Sequence, residues 1–173
     1  MNQYEMIQPS QIQGNPFALL GSHWALVTAG TQQDLNTMTV SWGALGVMWG
    51  QDVVQIVVRP QRYTKEFVDR TGRFTLSFYG PEYRQALAHL GKVSGREEDK
   101  IKTVGFTPKM FGQAPAFEQA ELVLDCQVLY TQTIDPAGFM PGTDCDEKWY
   151  PNKDYHIVYV ARIGGVWQKK AGL

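Results

Sequence analysis

The sequence predicts a mainly β fold, a closed or nearly closed antiparallel barrel with short helical inserts, on three observations. Residues 53–58, VVQIVV, are dense in the β-branched side chains that pack well on a pleated surface. About seven segments of strand length recur along the chain, apolar or alternating, with turn residues between them. The 173 residues hold no internal repeat, low-complexity tract or linker, so residues 1–173 read as one domain long enough to bury a real core.

In chain order, residues 24–29 (WALVTA) are the first predicted strand, and GTQQD at 30–34 turns the chain back. Residues 37–42 and 44–49 are two further strands parted by Gly43, and Gly50-Gln51-Asp52 closes the second. The VVQIVV strand follows. Pro60 then stops ladder pairing, and Thr64 suits the N-cap of a short helix through Asp69. After the turn at Thr71-Gly72, residues 73–78 (RFTLSF) form another strand. Pro81 opens a stronger helix to about Leu90, with Tyr83, Leu87 and Leu90 on one face, and residues 97–104 suit a third helix ending at Gly105. In the strand 121–130, Leu122, Leu124, Cys126, Val128 and Tyr130 face one way. Asp125 and Gln127 face the other, which predicts one wet side. Residues 155–167 are the final long strand, with a bulge expected at Gly164-Gly165.

Composition narrows the function classes. A net charge of -1 leaves no electrostatic footprint for nucleic acid or an anionic membrane. The first twenty residues lack the basic segment and long apolar run of a signal peptide, and no window approaches a membrane span, so the expectation is a cytoplasmic protein. Cys126 is expected as a small core residue. Cys145, within TDCDE, is expected to be exposed and unreactive, because acidic neighbours disfavour its thiolate. His156, at the head of the last strand, is a candidate for the edge of a site, while His23 is expected partly buried and His89 on the wet side of its helix. There is no Ser–His–Asp order, HExxH, GxGxxG or GxxxxGK[ST], which ranks hydrolase, zinc, dinucleotide-fold and NTPase chemistry low. No metal ligand and no catalytic side chain is assigned.

Three stretches can carry binding chemistry. Arg59, Arg62, Tyr63 and Thr64 fall where a strand gives way to a helix, so forked cations, hydroxyls and free backbone N–H groups converge as they would on a phosphate. The same residues also suit a plain N-cap beside two solvated arginines. Thr39-Val40-Ser41-Trp42 offers short hydroxyls on one strand face and an aromatic on the other, suited to the edges of a planar heterocycle or to an ordinary half-exposed strand. Gly91-Lys92-Val93-Ser94-Gly95-Arg96 can close over an anionic tail or serve as a helix cap. A planar ring with a phosphate on a tail is the outline of a flavin mononucleotide.

Four motifs then occur in fixed order: N-x-M-T-x-S-W (Asn36, Met38, Thr39, Ser41, Trp42), V-R-P-Q-R-Y-T (58–64), F-T-L-S-F (74–78) and G-K-x-S-G-R-x-x-D-K (91–100). Together with Tyr150-Pro151-Asn152-Lys153-Asp154-Tyr155-His156, they resemble the flavin reductase-like, FMN-binding split-barrel family, and within it the flavoredoxin-like branch. The likeness runs from about Asn15 to Ile163. It implies a six-stranded antiparallel split barrel that dimerises and binds FMN non-covalently near the subunit interface. By that likeness Thr39, Val40, Ser41 and Trp42 would meet the isoalloxazine, and Met38 beside them counts among the cofactor-binding residues. Arg59, Arg62, Tyr63 and Thr64 would meet the phosphate and ribityl tail, and Lys92, Ser94 and Arg96 would close over that end. The implied activity is that of an oxidoreductase passing reducing equivalents from NAD(P)H or a redox protein through FMN. The alternative is an electron carrier or flavin-binding module without NAD(P)H turnover.

Overall fold

The computed structural model describes residues 3–170; positions 1–2 and 171–173, at the ends of the N-terminal segment and C-terminal tail, lie outside the described residues. The elements run β1 (Tyr4–Ile7), β2 (Ala25–Gly30), β3 (Leu35–Val40), β4 (Gly43–Met48), β5 (Gln51–Val58), α1 (Tyr63–Thr71), β6 (Arg73–Phe78), α2 (Arg84–Lys92), α3 (Lys100–Thr103), β7 (Pro108–Phe111), β8 (Ala114–Phe117), β9 (Leu122–Thr133), α4 (Cys145–Trp149) and β10 (Ile157–Lys169). Eight strands form one antiparallel sheet in the order β3-β2-β6-β9-β10-β5-β4, with β1 also on β10, and β7–β8 is a separate hairpin. The mainly β, antiparallel barrel class therefore holds, with more strands than the six that the resemblance implies. The sequence reading missed β1, which has only 4 residues, and the hairpin, whose PKMF and APAF strands each carry a proline that argues against pairing.

The long strand β10 is where the sheet splits. One side pairs with β9 throughout, while the other pairs first with β5, as Ile157–Arg162, and then with β1, as Val166–Lys169. The change of partner coincides with a register shift between Ile163 and Gly165, so the expected glycine bulge is present. An unpaired extra residue bends a strand and increases its twist, which lets one strand serve two neighbours.

Two apolar cores flank β2. Val27 joins Met38, Ile56, Phe74, Leu76 and Leu124 inside the barrel, and Leu26 joins Tyr79, Leu87, Leu90, Phe117 and Val123 beneath α2 and the hairpin. A strand buried on both faces reads as a continuous apolar run, which is why ALVTAG shows no alternation. Cys126 lies in the barrel core and Cys145 is exposed, both as expected.

Several sequence expectations are corrected. Asp125 is buried rather than wet: β7–β8 covers it, Arg73 Nη2 pairs with its Oδ2 at 3.1 Å, and the Gln113 N–H donates to the same oxygen. Tyr130, expected inside, is 45% exposed, because β9 extends past the core. The 50–52 turn is tighter than read: Met48 pairs with Gln51, and Trp49 and Gly50 at φ 54° and 68° make the two-residue connection. The Pro81 helix begins as a single 3₁₀ turn before α2, and the 97–104 helix contracts to α3, capped by the Asp99 carboxylate on the Lys102 N–H. His23 is exposed. Thr64 is not an N-cap. Arg62 takes that position in extended backbone, and Thr64 is buried in the first turn of α1.

Candidate functional site

Two adjoining clefts open where β3, the end of β5, the N-terminus of α1 and the last turn of α2 meet. One, of about 200 Å³, is lined by Thr39, Val40, Ser41, Trp42, Val57, Trp149 and His156; the other, of about 300 Å³, by Asn36, Tyr63, Thr64, Lys92, Ser94 and Lys100. Met38, Arg59 and Arg62 belong to both walls, so the clefts are one trough with a waist. Small-molecule sites span roughly 300–1,000 Å³, and the joined trough falls within that range where the smaller cleft alone does not.

Local packing explains the convergence. Asn36 Nδ2 donates to Thr64 Oγ1 at 2.9 Å, tying β3 to α1, and Thr39 Oγ1 donates to the Leu87 carbonyl at 2.5 Å, tying β3 to α2. Glycines permit this closeness. A Cβ on Gly91 would sit 2.9 Å from Thr39 Cβ, and one on Gly95 would sit 2.3 Å from Asn36 Oδ1. The structure thus gathers every sequence-predicted site residue except one around the trough. The exception is Arg96, which pairs with Glu66, lies 4.4 Å over the Tyr63 ring and donates to the Gln61 carbonyl. It braces the wall from outside.

The two ends differ in chemistry. At the wider end Arg62 Nη1 donates to the Gly91 carbonyl at 2.9 Å, and the buried Lys100 ammonium donates to the Leu90 and Val93 carbonyls at 2.8 and 2.9 Å. Among the described residues neither cation, nor exposed Lys92, has a carboxylate partner; Glu97 lies on the same wall, and Glu98 bonds to His89 instead. Burial first, and then the nearby Arg62 guanidinium, lower the Lys100 pKa to about 8, with Glu98 acting against them. An ammonium held so close to deprotonation beside a second cation favours an anion. Ser94 Oγ accepts from the Arg96 N–H, which leaves its own hydrogen to donate.

The narrower end is aromatic. Trp42 stands edge to face with Trp149 at 4.8 Å and tilted to His156 at 5.2 Å, and His156 Nδ1 shares a hydrogen bond of 2.9 Å with the Tyr150 hydroxyl. Burial, then the Arg59 charge, lower the His156 pKa to about 4, so the ring is neutral near pH 7. Arg59 is already engaged: Nη1 pairs with Asp154 Oδ2 at 2.5 Å, and Nη2 donates to the Trp149 carbonyl at 2.9 Å.

Sequence reasoning missed Asn36, Lys100 and Trp149 as site residues and left His156 open. Asn36 and Lys100 stand within the quoted motifs, so spacing alone held a signal for them. Trp149 lies on α4, a helix the sequence reading did not see.

A family model for the flavin reductase like domain matches residues 17–173. Among curated proteins no match is found. Among solved structures, the flavoredoxin of Methanosarcina acetivorans shares 21% identity at a TM-score of 0.66, over 87% of this chain and 70% of that one. The FMN-binding protein of Thermus thermophilus with bound 1-cyclohex-2-enone shares 20% at 0.68, over 96% and 83%. The styrene monooxygenase flavin reductase of Pseudomonas putida S12 shares 20% at 0.64, over 89% and 84%. At these identities the likenesses speak to the fold.

Proposed function

The chain belongs to the flavin reductase-like family, and from that premise we propose that it is an FMN-dependent oxidoreductase. One observation carries the reading: a single trough joins an aromatic, neutral end to an end where, among the described residues, Arg62 and Lys100 have no carboxylate partner. Ring and phosphate monoester match those ends in aromatic character and in charge. FMN, when bound, supplies the capacity to take up and release electrons, and the protein's part is to bind and orient it.

Each residue's role follows from its surroundings. Arg62, Lys100, Lys92 and the Ser94 hydroxyl would hold the phosphate, with the first turn of α1 presenting N–H groups beside them. Tyr63, Thr64 and Asn36 shape the wall between that end and the waist. Met38, Thr39, Val40, Ser41 and Trp42 would border the isoalloxazine. Because the Thr39 hydroxyl hydrogen is committed to Leu87, the Ser41 hydroxyl and the backbone N–H groups of this ribbon are the donors left for the ring edge. No side chain is required as a nucleophile.

The test is direct. Purified protein should be yellow and release FMN on denaturation; colourless protein that does not bind added FMN would sink the proposal. The donor would be NAD(P)H or a redox protein. Steady-state NAD(P)H oxidation with and without free flavin separates bound FMN from exchangeable flavin. Tight FMN binding with negligible NAD(P)H turnover would identify an electron carrier instead. The exposed Val47, Met48, Trp49, Leu129 and Tyr130, on the β4–β5 hairpin and β9, support a homodimer. Sedimentation velocity checks it. Among the described residues no helix is long and apolar enough to cross a membrane.

A further inference from the structure

Arg59 stands at the waist of the trough, yet its guanidinium faces the segment 145–154 on every contact. Nη1 meets the Asp154 carboxylate at 2.5 Å and the Asp154 carbonyl at 3.4 Å, and Nη2 meets the Trp149 carbonyl at 2.9 Å. The guanidinium carbon lies 5.3 Å from the centre of the Tyr150 ring. Gln61 Nε2 adds a second bond to the same Asp154 oxygen at 2.9 Å. A phosphate reaching Arg59 would meet a guanidinium whose charge is already paired with a carboxylate at short range, and would have to share it. Arg62, three residues on, has only a carbonyl to give up.

The segment that Arg59 holds carries the aromatic end of the trough. Trp149 supplies the edge-to-face partner of Trp42, Tyr150 bonds His156, and Asp154 precedes His156 by two residues. Within the segment α4 contributes no buried residue and Trp149 is 43% exposed, so besides Arg59 it is held by buried Tyr150, by the Tyr155 hydroxyl on Asp146 and by Gln61 on Asp154. Resting on the flavin-site reading above, we propose that Arg59 is a positioning residue, latching the 145–154 arm so that Trp149 and His156 stand over the ring end, and is not a phosphate ligand. The arm then decides which planar donor or acceptor reaches the ring.

Two flavins separate the roles, because riboflavin has the ring without the phosphate. FMN and riboflavin affinities are measured for the unaltered protein, Arg59→Ala and Asp154→Asn, with amide hydrogen exchange of the 145–154 peptides alongside. The latch predicts that both variants weaken both flavins by one common factor, leaving the FMN-to-riboflavin ratio within about twofold of the unaltered protein, and that the arm loses protection in both. The assignment is overturned if Arg59→Ala weakens FMN alone while Asp154→Asn binds FMN as well or better. Unchanged affinity for both flavins, or unchanged exchange of the arm, overturns it too. If the unaltered protein binds neither flavin, the flavin reading fails, and the exchange measurement decides the latch by itself. If Arg59→Ala does not fold, Asp154→Asn carries both measurements.

Discussion

The two ends of the trough each hold basic side chains and do opposite things with their charge. At the aromatic end Arg59 is matched by Asp154 and burial keeps His156 neutral, so each charge is settled before any ligand arrives. At the other end, among the described residues, Arg62 and Lys100 donate to carbonyl oxygens and pair with no carboxylate, with Glu98 acting on Lys100 only through space. A cation in a cleft therefore does not announce an anion site. The absence of a carboxylate partner does, because only then does a ligand anion meet a charge that nothing else has answered.

The largest expected effect falls on the uncompensated end. Arg62→Ala should weaken FMN by about 1.5–3 kcal/mol, tenfold or more, and leave riboflavin nearly unchanged by equilibrium titration. Equal losses for both flavins would erase the contrast between the ends. Next comes Gly95→Ala, whose Cβ would press on Asn36 Oδ1 at 2.3 Å and on Tyr63 at 3.3 Å; overpacking of this kind costs about 1–3 kcal/mol, read by denaturant unfolding. Smaller again is Trp149→Ala. It removes the edge-to-face pair with Trp42, worth about 0.5–1.5 kcal/mol of fold stability read by denaturant unfolding, and should shift FMN and riboflavin affinity by the same factor.

Proton linkage draws the finest distinctions. Lys100 has a pKa of about 8 without ligand, and a bound phosphate would raise it. FMN affinity is then fully present below pH 8 and falls as pH rises above it, while riboflavin affinity stays flat across pH 7–9. The sign for stability runs the other way. The unfolded chain holds the Lys100 proton up to its ordinary 10.5, so the ligand-free fold gains stability as pH rises from about 8 towards that value. His156, lowered to about 4, contributes stability that is present above its ordinary 6.5 and lost as pH falls through the folded value. In His156→Phe the melting temperature should fall less between pH 7 and 4 than in the unaltered protein.

What the sequence made legible follows the same divide between local and distant causes. VVQIVV and RFTLSF became β5 and β6 because β-branched density and alternation act within a few residues. The bulge at Gly164-Gly165 was legible for the same reason. Asp125 was not, since its burial comes from a hairpin whose prolines hide it and from Arg73, which is 52 residues away. At the site, the motifs placed Met38–Trp42 and Arg59–Thr64 on one trough. Contacts of long sequence separation decide what each residue does there. Arg59 meets residues about 90 positions on, and nothing in V-R-P-Q-R-Y-T distinguishes it from Arg62.

One more consequence lies in the last turn of α2. Its carbonyls from Leu90 and Gly91, with that of Val93 just beyond, receive Lys100 and Arg62. A helix C-terminus carries partial negative charge and repels anions. Here that pole is plated with two cations, which turns a repelling helix end into an attracting surface. The attraction lasts only while the turn stays wound. If its final residues fray, both cations lose their anchors together, and the trough discharges with no ligand-facing residue altered. Affinity for an anion would then track the winding of one helical turn.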